Sequence, residues 1–148
     1  MENTKKICTA SDHAGFELKE TVRKKLEEKG FEVLDCGTYR GDESVDYPIF
    51  AKKLAKMVAT GECPRGVLFC GTGVGASIAA NRKKGVRAAL CFTPEMGRLS
   101  REHNDSNVLV LGARTTPAET ALVILDAWLD GAFGGGRHEG RVRMLDED

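Results

Sequence analysis

Residues 69–81 read Phe-Cys-Gly-Thr-Gly-Val-Gly-Ala-Ser-Ile-Ala-Ala-Asn. With Gly66, Val67 and Leu68 before them, they pass from an apolar strand through a glycine-rich turn into a helix. A strand apolar at every position, as 66–70 (GVLFC) is, belongs in a sheet covered on both faces. A strand that turns so tightly into a helix is half of a βαβ unit. Turns of this kind usually offer their amides to phosphate. Here Cys70 stands at the mouth, and that residue has to be explained.

Working outward, strand-like and helix-like segments alternate. Residues 6–10 (KICTA) form a first strand, and Ser11 or Asp12 is placed to cap a helix over about 15–29. In that helix Leu18, Val22 and Leu26 recur every four residues with lysines elsewhere, and Gly30 ends it. A second strand, 31–36, leads into a polar loop over 37–47 and a helix opened by Pro48 that runs to about 60. The glycine turn opens a helix over 74–84, followed by a fourth strand, 86–91. Thr93-Pro94-Glu95 caps and opens another helix, and 107–111 (NVLVL) is the fifth strand. A last helix over 117–129 carries Ala121, Leu125 and Trp128 to the core, and the tail from 134 is polar and basic, then acidic.

The pattern is α/β: a three-layer αβα sandwich around a five-stranded parallel, Rossmann-like sheet, with residues 1–148 as a single domain. Ligands of such sheets bind beyond the carboxyl ends of the strands, near a switch in strand order. The positions to watch are therefore Asp12 and His13, Asp46 and Tyr47, Cys70 to Gly75, Thr93 and Arg114.

Composition narrows the function. The chain has 148 residues, 41% apolar and 30% charged, which suits a globular domain with a proper core. Lys plus Arg and Asp plus Glu are 22 each, which argues against a general nucleic-acid binder. The N-terminal stretch lacks the apolar core of a signal peptide, and no apolar run reaches membrane-spanning length. Five cysteines without a CxxC pair suit reduced thiols and a cytoplasmic location better than a disulfide frame or a zinc site.

Gly71-Thr72-Gly73-Val74-Gly75-Ala76 fits the dinucleotide fingerprint, with Glu95 at about the acidic spacing, so nicotinamide binding is one reading of the turn. Against it, the turn follows the third strand and the chain is short for a dehydrogenase. The Lys-Ser/Thr of a Walker loop is missing, and Ala76 stands where a cysteine phosphatase needs arginine. Cys8, Cys36 and Cys91 read as small buried apolar residues. Cys70 has that reading too, but it precedes amides and a helix dipole that favour a thiolate. Asp12 and His13 are either a helix cap or ligands of a polar substrate. His103 and Asn104 are either an ordinary helix end or part of a site at the rim of the sheet. Arg114, Arg137 and Arg141 are either solvated or an anion clamp; Arg137 and Arg141 share a face if the tail is helical. Glycines 134–136 would let that tail fold back onto a cleft.

Together the stretches SDHAGFELK (11–19), GT (37–38), SVDYP (44–48), CGTGVGASIAAN (70–81), GVRAAL (85–90), REHNDSNVLVLGAR (101–114) and GGRHEGRV (135–142) resemble the type B ribose-5-phosphate isomerases of the ribose/galactose-6-phosphate isomerase family. The resemblance implies an aldose–ketose isomerase of the pentose phosphate pathway that uses neither metal nor cofactor. It would act as a homodimer or homotetramer with sites at the dimer interface. Ala76 beside Cys70 places the chain in the family's cysteine branch. By resemblance Cys70 moves a proton between C1 and C2, and His103 opens the furanose ring. Asp12, His13 and Asn104 would hold sugar hydroxyls, Tyr47 would wall the site, and Arg114, Arg137 and Arg141 would take the phosphate. The amides of Gly71, Gly73, Val74 and Gly75 would then cradle the enediolate oxygens rather than a phosphate, with Thr72 hydrogen-bonded to Cys70. The alternatives are an allose- or galactose-6-phosphate isomerase, a nicotinamide-binding domain, and a sugar-phosphate sensor without turnover. No nucleic-acid or membrane partner is expected.

Overall fold

The structure is a computed structural model that describes residues 5–147; residues 1–4 and the last acid of the tail, Asp148, lie outside it. Five strands, β1 (Lys6–Ser11), β2 (Glu32–Asp35), β3 (Gly66–Cys70), β4 (Ala88–Leu90) and β5 (Val108–Gly112), form one sheet in the order β2-β1-β3-β5-β4. Every pairing is parallel. The helices are α1 (Phe16–Glu28), α2 (Tyr47–Ala59), α3 (Val74–Asn81), α4 (Pro94–Asn104), α5 (Ala118–Asp130) and α6 (Arg137–Met144).

The strand order and the helix layers follow one handedness. The steps from β1 to β2 and from β4 to β5 go one way across the sheet, and their helices α1 and α4 pack with α5 on one face. The steps through α2 and α3 go the other way, and those helices pack together on the opposite face. A single crossover hand requires this arrangement. The helices that leave the neighbouring strands β1 and β3 therefore diverge, and a crevice opens between the two strand ends.

Alternation along the strands sorts the core. Ile7, Val67, Phe69, Leu109 and Leu111 meet Leu18, Val22, Leu26, Ile124, Leu125 and Trp128 on the α1/α4/α5 face. Cys8, Ala10, Leu68, Cys70, Val108 and Val110 meet Ala51, Leu54, Ala55, Ala76 and Ala80 on the α2/α3 face. The second set is smaller, and α2 and α3 lie close on the sheet.

Several boundaries differ from the sequence reading. The fourth strand is Ala88–Leu90 rather than 86–91, because Val86 and Arg87 belong to the approach that Asn107 ties down through its side chain and main chain. The α3 helix stops at Asn81, whose side chain turns to bond Ala88 N–H and C=O, so residues 82–84 leave the helix. The tail contains a helix, α6, so Arg137 and Arg141 do lie one turn apart. Neither Ser11 nor Asp12 is the N-cap of α1; Gly15 is, and the Asp12 carboxylate accepts its N–H at 3.0 Å. Lys19, one of the lysines off the Leu18/Val22/Leu26 stripe, is fully buried, with Nζ 2.6 and 2.7 Å from the Asp35 oxygens. That pairing compensates the cost of burying the ammonium, and Asp35 also accepts the Gly37 N–H at the start of the long loop.

Candidate active site

Cys70 ends β3 and is 5% exposed. Gly73 N–H donates to its Sγ at 3.2 Å. Gly73 can reach back because its φ of 83° lies in the left-handed region, which glycine adopts without a Cβ penalty. The Thr72 hydroxyl accepts from Val74 N–H at 3.3 Å, so the bond that reaches the sulfur comes from the backbone and not from Thr72. The amides of Gly75 and Ala76, in the first turn of α3, have no partner inside the helix.

The loop after β5 locks onto this turn. Ala113 N–H donates to Cys70 C=O at 2.9 Å and Arg114 N–H to Gly71 C=O at 2.8 Å. That brings the Arg114 guanidinium over Gly71, where an added Cβ would sit 3.0 Å from Nη1. A Cβ on Gly75 would lie 2.5 Å from Cζ of the Tyr47 ring. The glycines thus make room for the chain's own Arg114 and Tyr47 side chains. A pyrophosphate laid on the turn would compete with both, which weakens the nicotinamide reading.

Across the crevice, Asp12 is buried at the end of β1, and His13 follows it. His13 Nδ1 accepts from Val45 N–H at 3.1 Å. In the neutral ring the proton then resides on Nε2, which remains a donor. Nothing in the sequence pointed to Val45, because a main-chain amide carries no residue signature. Asp46, exposed, precedes Tyr47 in the same loop. This carboxyl-end cluster thus unites Asp12, His13, Tyr47, Cys70, the turn 71–75 and Arg114.

His103, Asn104, Arg137 and Arg141 are elsewhere. One of the two sequence readings put His103 and Asn104 in a site at the rim of the sheet, and the glycines would let the tail fold back onto a cleft. Instead α4 runs back alongside the strands and delivers His103 and Asn104 to the amino end of the sheet. There Asn107 C=O accepts from the N–H of Gly66, the first residue of β3. Gly66 and Cys70 are the two ends of β3, about 13 Å apart at strand rise. The tail follows α4: the His138 ring stacks on His103 at 4.5 Å between centroids and 19° between planes. His103, Asn104, His138 and Arg141 line a cavity of about 240 Å³. Arg137 and Arg141 lie one turn apart on α6. Burial first, then the charges of Arg137, His103 and Arg141, holds His138 below the usual histidine pKa.

Between the two clusters lies the outer face of α3. Its first turn touches the Cys70 cluster, while Asn81 at its far end lines a second cavity with Asn104 and Leu145. Val74 and Ile78 on this face are 49% and 53% exposed. Among the described residues no group of three or more His, Cys, Asp or Glu side chains is arranged to hold a metal, and no helix is long and apolar enough to cross a membrane.

The sequence profile of the ribose/galactose isomerase family matches residues 7–145. The chain belongs to that family. It is 49% identical over 141 residues to ribose-5-phosphate isomerase B of Escherichia coli, covering 95% of this chain and 94% of that protein. Its fold superposes on the crystal structure of a ribose 5-phosphate isomerase from Thermotoga maritima with a TM-score of 0.94 at 55% identity, covering 97% and 98% of the two chains. Ribose-5-phosphate isomerase B from Mycoplasma genitalium, solved with bound ribulose-5-phosphate, gives a TM-score of 0.91 at 39% identity, covering 97% of each chain. The chain is an isomerase of the α/β three-layer class that its strand–turn–helix pattern pointed to.

Proposed function

We propose that the chain interconverts ribose-5-phosphate and ribulose-5-phosphate through a cis-enediolate, as one domain over residues 1–148 whose tail, 134–148, contributes to the site. The observation that carries this reading is the meeting of Cys70, the amide turn and Arg114 beside Asp12 and His13. The Cys70 thiolate takes the C2 proton of the aldose and returns it to C1. Amides of the turn stabilise the oxygens at C1 and C2, where charge grows during proton transfer. The bond from Gly73 N–H favours the thiolate form of Cys70. Thr72 shapes the turn through the Val74 amide. His13 and Asp12 hold sugar hydroxyls with Asn104, Tyr47 closes one side, and Arg114 faces the phosphate with Arg137 and Arg141. His103 transfers the proton that opens the furanose ring.

These residues cannot act together within one copy, because the Cys70 and His103 clusters occupy opposite ends of the sheet. A twofold axis across the exposed face of α3 resolves this. It sets α3 antiparallel to its copy, so the Cys70 end of one protomer meets the His103 end of the other. Val74 and Ile78 become buried, and two complete sites form. Each site then takes Arg114 from one protomer, and Arg137 and Arg141 from its partner.

The test is ribulose-5-phosphate formation by native protein and by mixed oligomers. Cys70→Ala and Arg137→Ala chains each have little activity alone at substrate well below KM. Mixed equally, they form heterodimers with one intact site, and about a quarter of native activity returns. No recovery on mixing would overturn the shared site. A native protein silent on ribose-5-phosphate would turn the substrate assignment to the six-carbon phosphates.

A further inference from the structure

The helix that carries Arg137 and Arg141 has little to hold it. None of its residues is buried. It is reached through Gly134, Gly135 and Gly136, and the last two have φ of 64° and 55° with no neighbour where a side chain would stand. Such a linker leaves the direction of the following helix open. The entry of α6 is fixed by Gly134 N–H on Glu102 C=O at 2.9 Å and by the His138–His103 stack. Those contacts define one end, and a helix fixed at one end can swing.

The other end is tied by the acidic terminus. Asp146 Oδ1 accepts the Gly85 N–H at 2.9 Å, bridging 61 positions of sequence. Gly85 is itself held, because Asn107 Nδ2 donates to its C=O at 2.9 Å while Asn107 Oδ1 accepts the Arg87 N–H at 2.7 Å. The receiving amide is thus part of the main-chain frame at the amino end of the sheet. Lys83 and Lys84, both exposed and without an ion-pair partner among the described residues, precede Gly85 and favour a carboxylate there.

The geometry points to Asp146 as a clasp: a positioning residue that pins the free end of α6 to the turn after α3 and thereby sets Arg137 and Arg141. This rests on the proposed role of those arginines in phosphate binding. Asp146 touches no substrate. Releasing it lowers the fraction of molecules with α6 in place, and the apparent affinity for the sugar phosphate falls by that fraction. The proton-transfer step, which the proposed dimer assigns to Cys70 of the partner subunit, is spared.

Asp146→Ala and Asp146→Asn separate the effects, since the asparagine oxygen still accepts from Gly85 N–H. The readouts are hydrogen–deuterium exchange over residues 137–145 and steady-state kinetics with ribose-5-phosphate. In Asp146→Ala, exchange quickens and KM rises about tenfold, as for a charge-assisted bond that is partly solvated, with kcat within about twofold. Asp146→Asn recovers most of both. Unchanged exchange in Asp146→Ala overturns the clasp. Faster exchange with native KM, or an equal loss in both variants, overturns the positioning role. If the native chain does not turn over ribose-5-phosphate, the functional reading fails, and the exchange arm still decides the clasp.

Discussion

The two ends of the sheet are built differently. At the carboxyl end the site is made of backbone and buried side chains: Cys70 sits under the Gly73 amide, the turn is laced to β5, and the Val45 amide fixes His13. At the amino end the groups stand on the last turn of α4 and on α6, a helix without a buried residue. One end is set by the hydrogen-bond frame of the sheet. The other is set by a ring stack, a few polar ties and, in the proposed dimer, a second copy. The proposed assignment of tasks matches. Proton transfer needs donors and base in fixed positions within contact distance. Ring opening and phosphate binding tolerate longer, more flexible side chains.

The largest effect is expected at the rigid end. Cys70→Ala removes the proposed base and is expected to lower kcat about 10³-fold for ribulose-5-phosphate formation, with native circular dichroism. A variant that keeps most of the rate would shift the base to a carboxylate such as Asp46.

Gly75→Ala tests whether that end tolerates adjustment. The new Cβ meets the Tyr47 ring at 2.5 Å, so the ring must leave or the turn must shift. A drop in kcat/KM of about 10- to 100-fold, with about 1–3 kcal/mol lost in chemical denaturation, is the expected outcome. Native kinetics in Gly75→Ala would show that Tyr47 has no part in the site.

At the flexible end, Arg141→Ala raises KM for the sugar phosphate about tenfold and leaves the fold unchanged, since the residue is exposed and belongs to no buried cluster. A fall in kcat with native KM would argue that Arg141 acts on the chemistry instead.

The smallest effect concerns pH. The folded-state pKa of His138 is depressed, so the folded protein binds its proton less readily than the unfolded chain does. The stability tied to neutral His138 is present above the unfolded value, about 6.5, and is lost as pH falls below it. Exchange over α6, corrected for its intrinsic pH dependence, is therefore faster at about pH 5.5 than at about pH 7.5. A His138→Gln variant loses this dependence; if it persists there, the titrating group lies elsewhere.

Local rules carried much of the fold. The alternation of apolar strands with four-spaced helical faces specified the parallel α/β sandwich. Thr93, whose side chain accepts from Met96 N–H, did cap α4, and the glycine turn opened α3 after an apolar strand. The carboxyl-end residues were legible because they follow directly on strand ends, so the position in sequence gives the position in the sheet. The burial of Lys19 was not legible: helical spacing marks the apolar stripe but does not reveal that Asp35, on another element, can accompany a lysine into the interior.

Contacts between segments distant in sequence set which end of the sheet each remaining group reaches. His103 and Asn104 close a helix of 11 residues that starts directly after Thr93, about 16 Å long, and that length carries them from one rim to the other. The strand order β2-β1-β3-β5-β4, the seat of α6 on α4 and the bond from Gly85 to Asp146 depend on contacts distant in sequence. Motifs list the candidate groups of this chain; the path of the chain through space separates them into two halves.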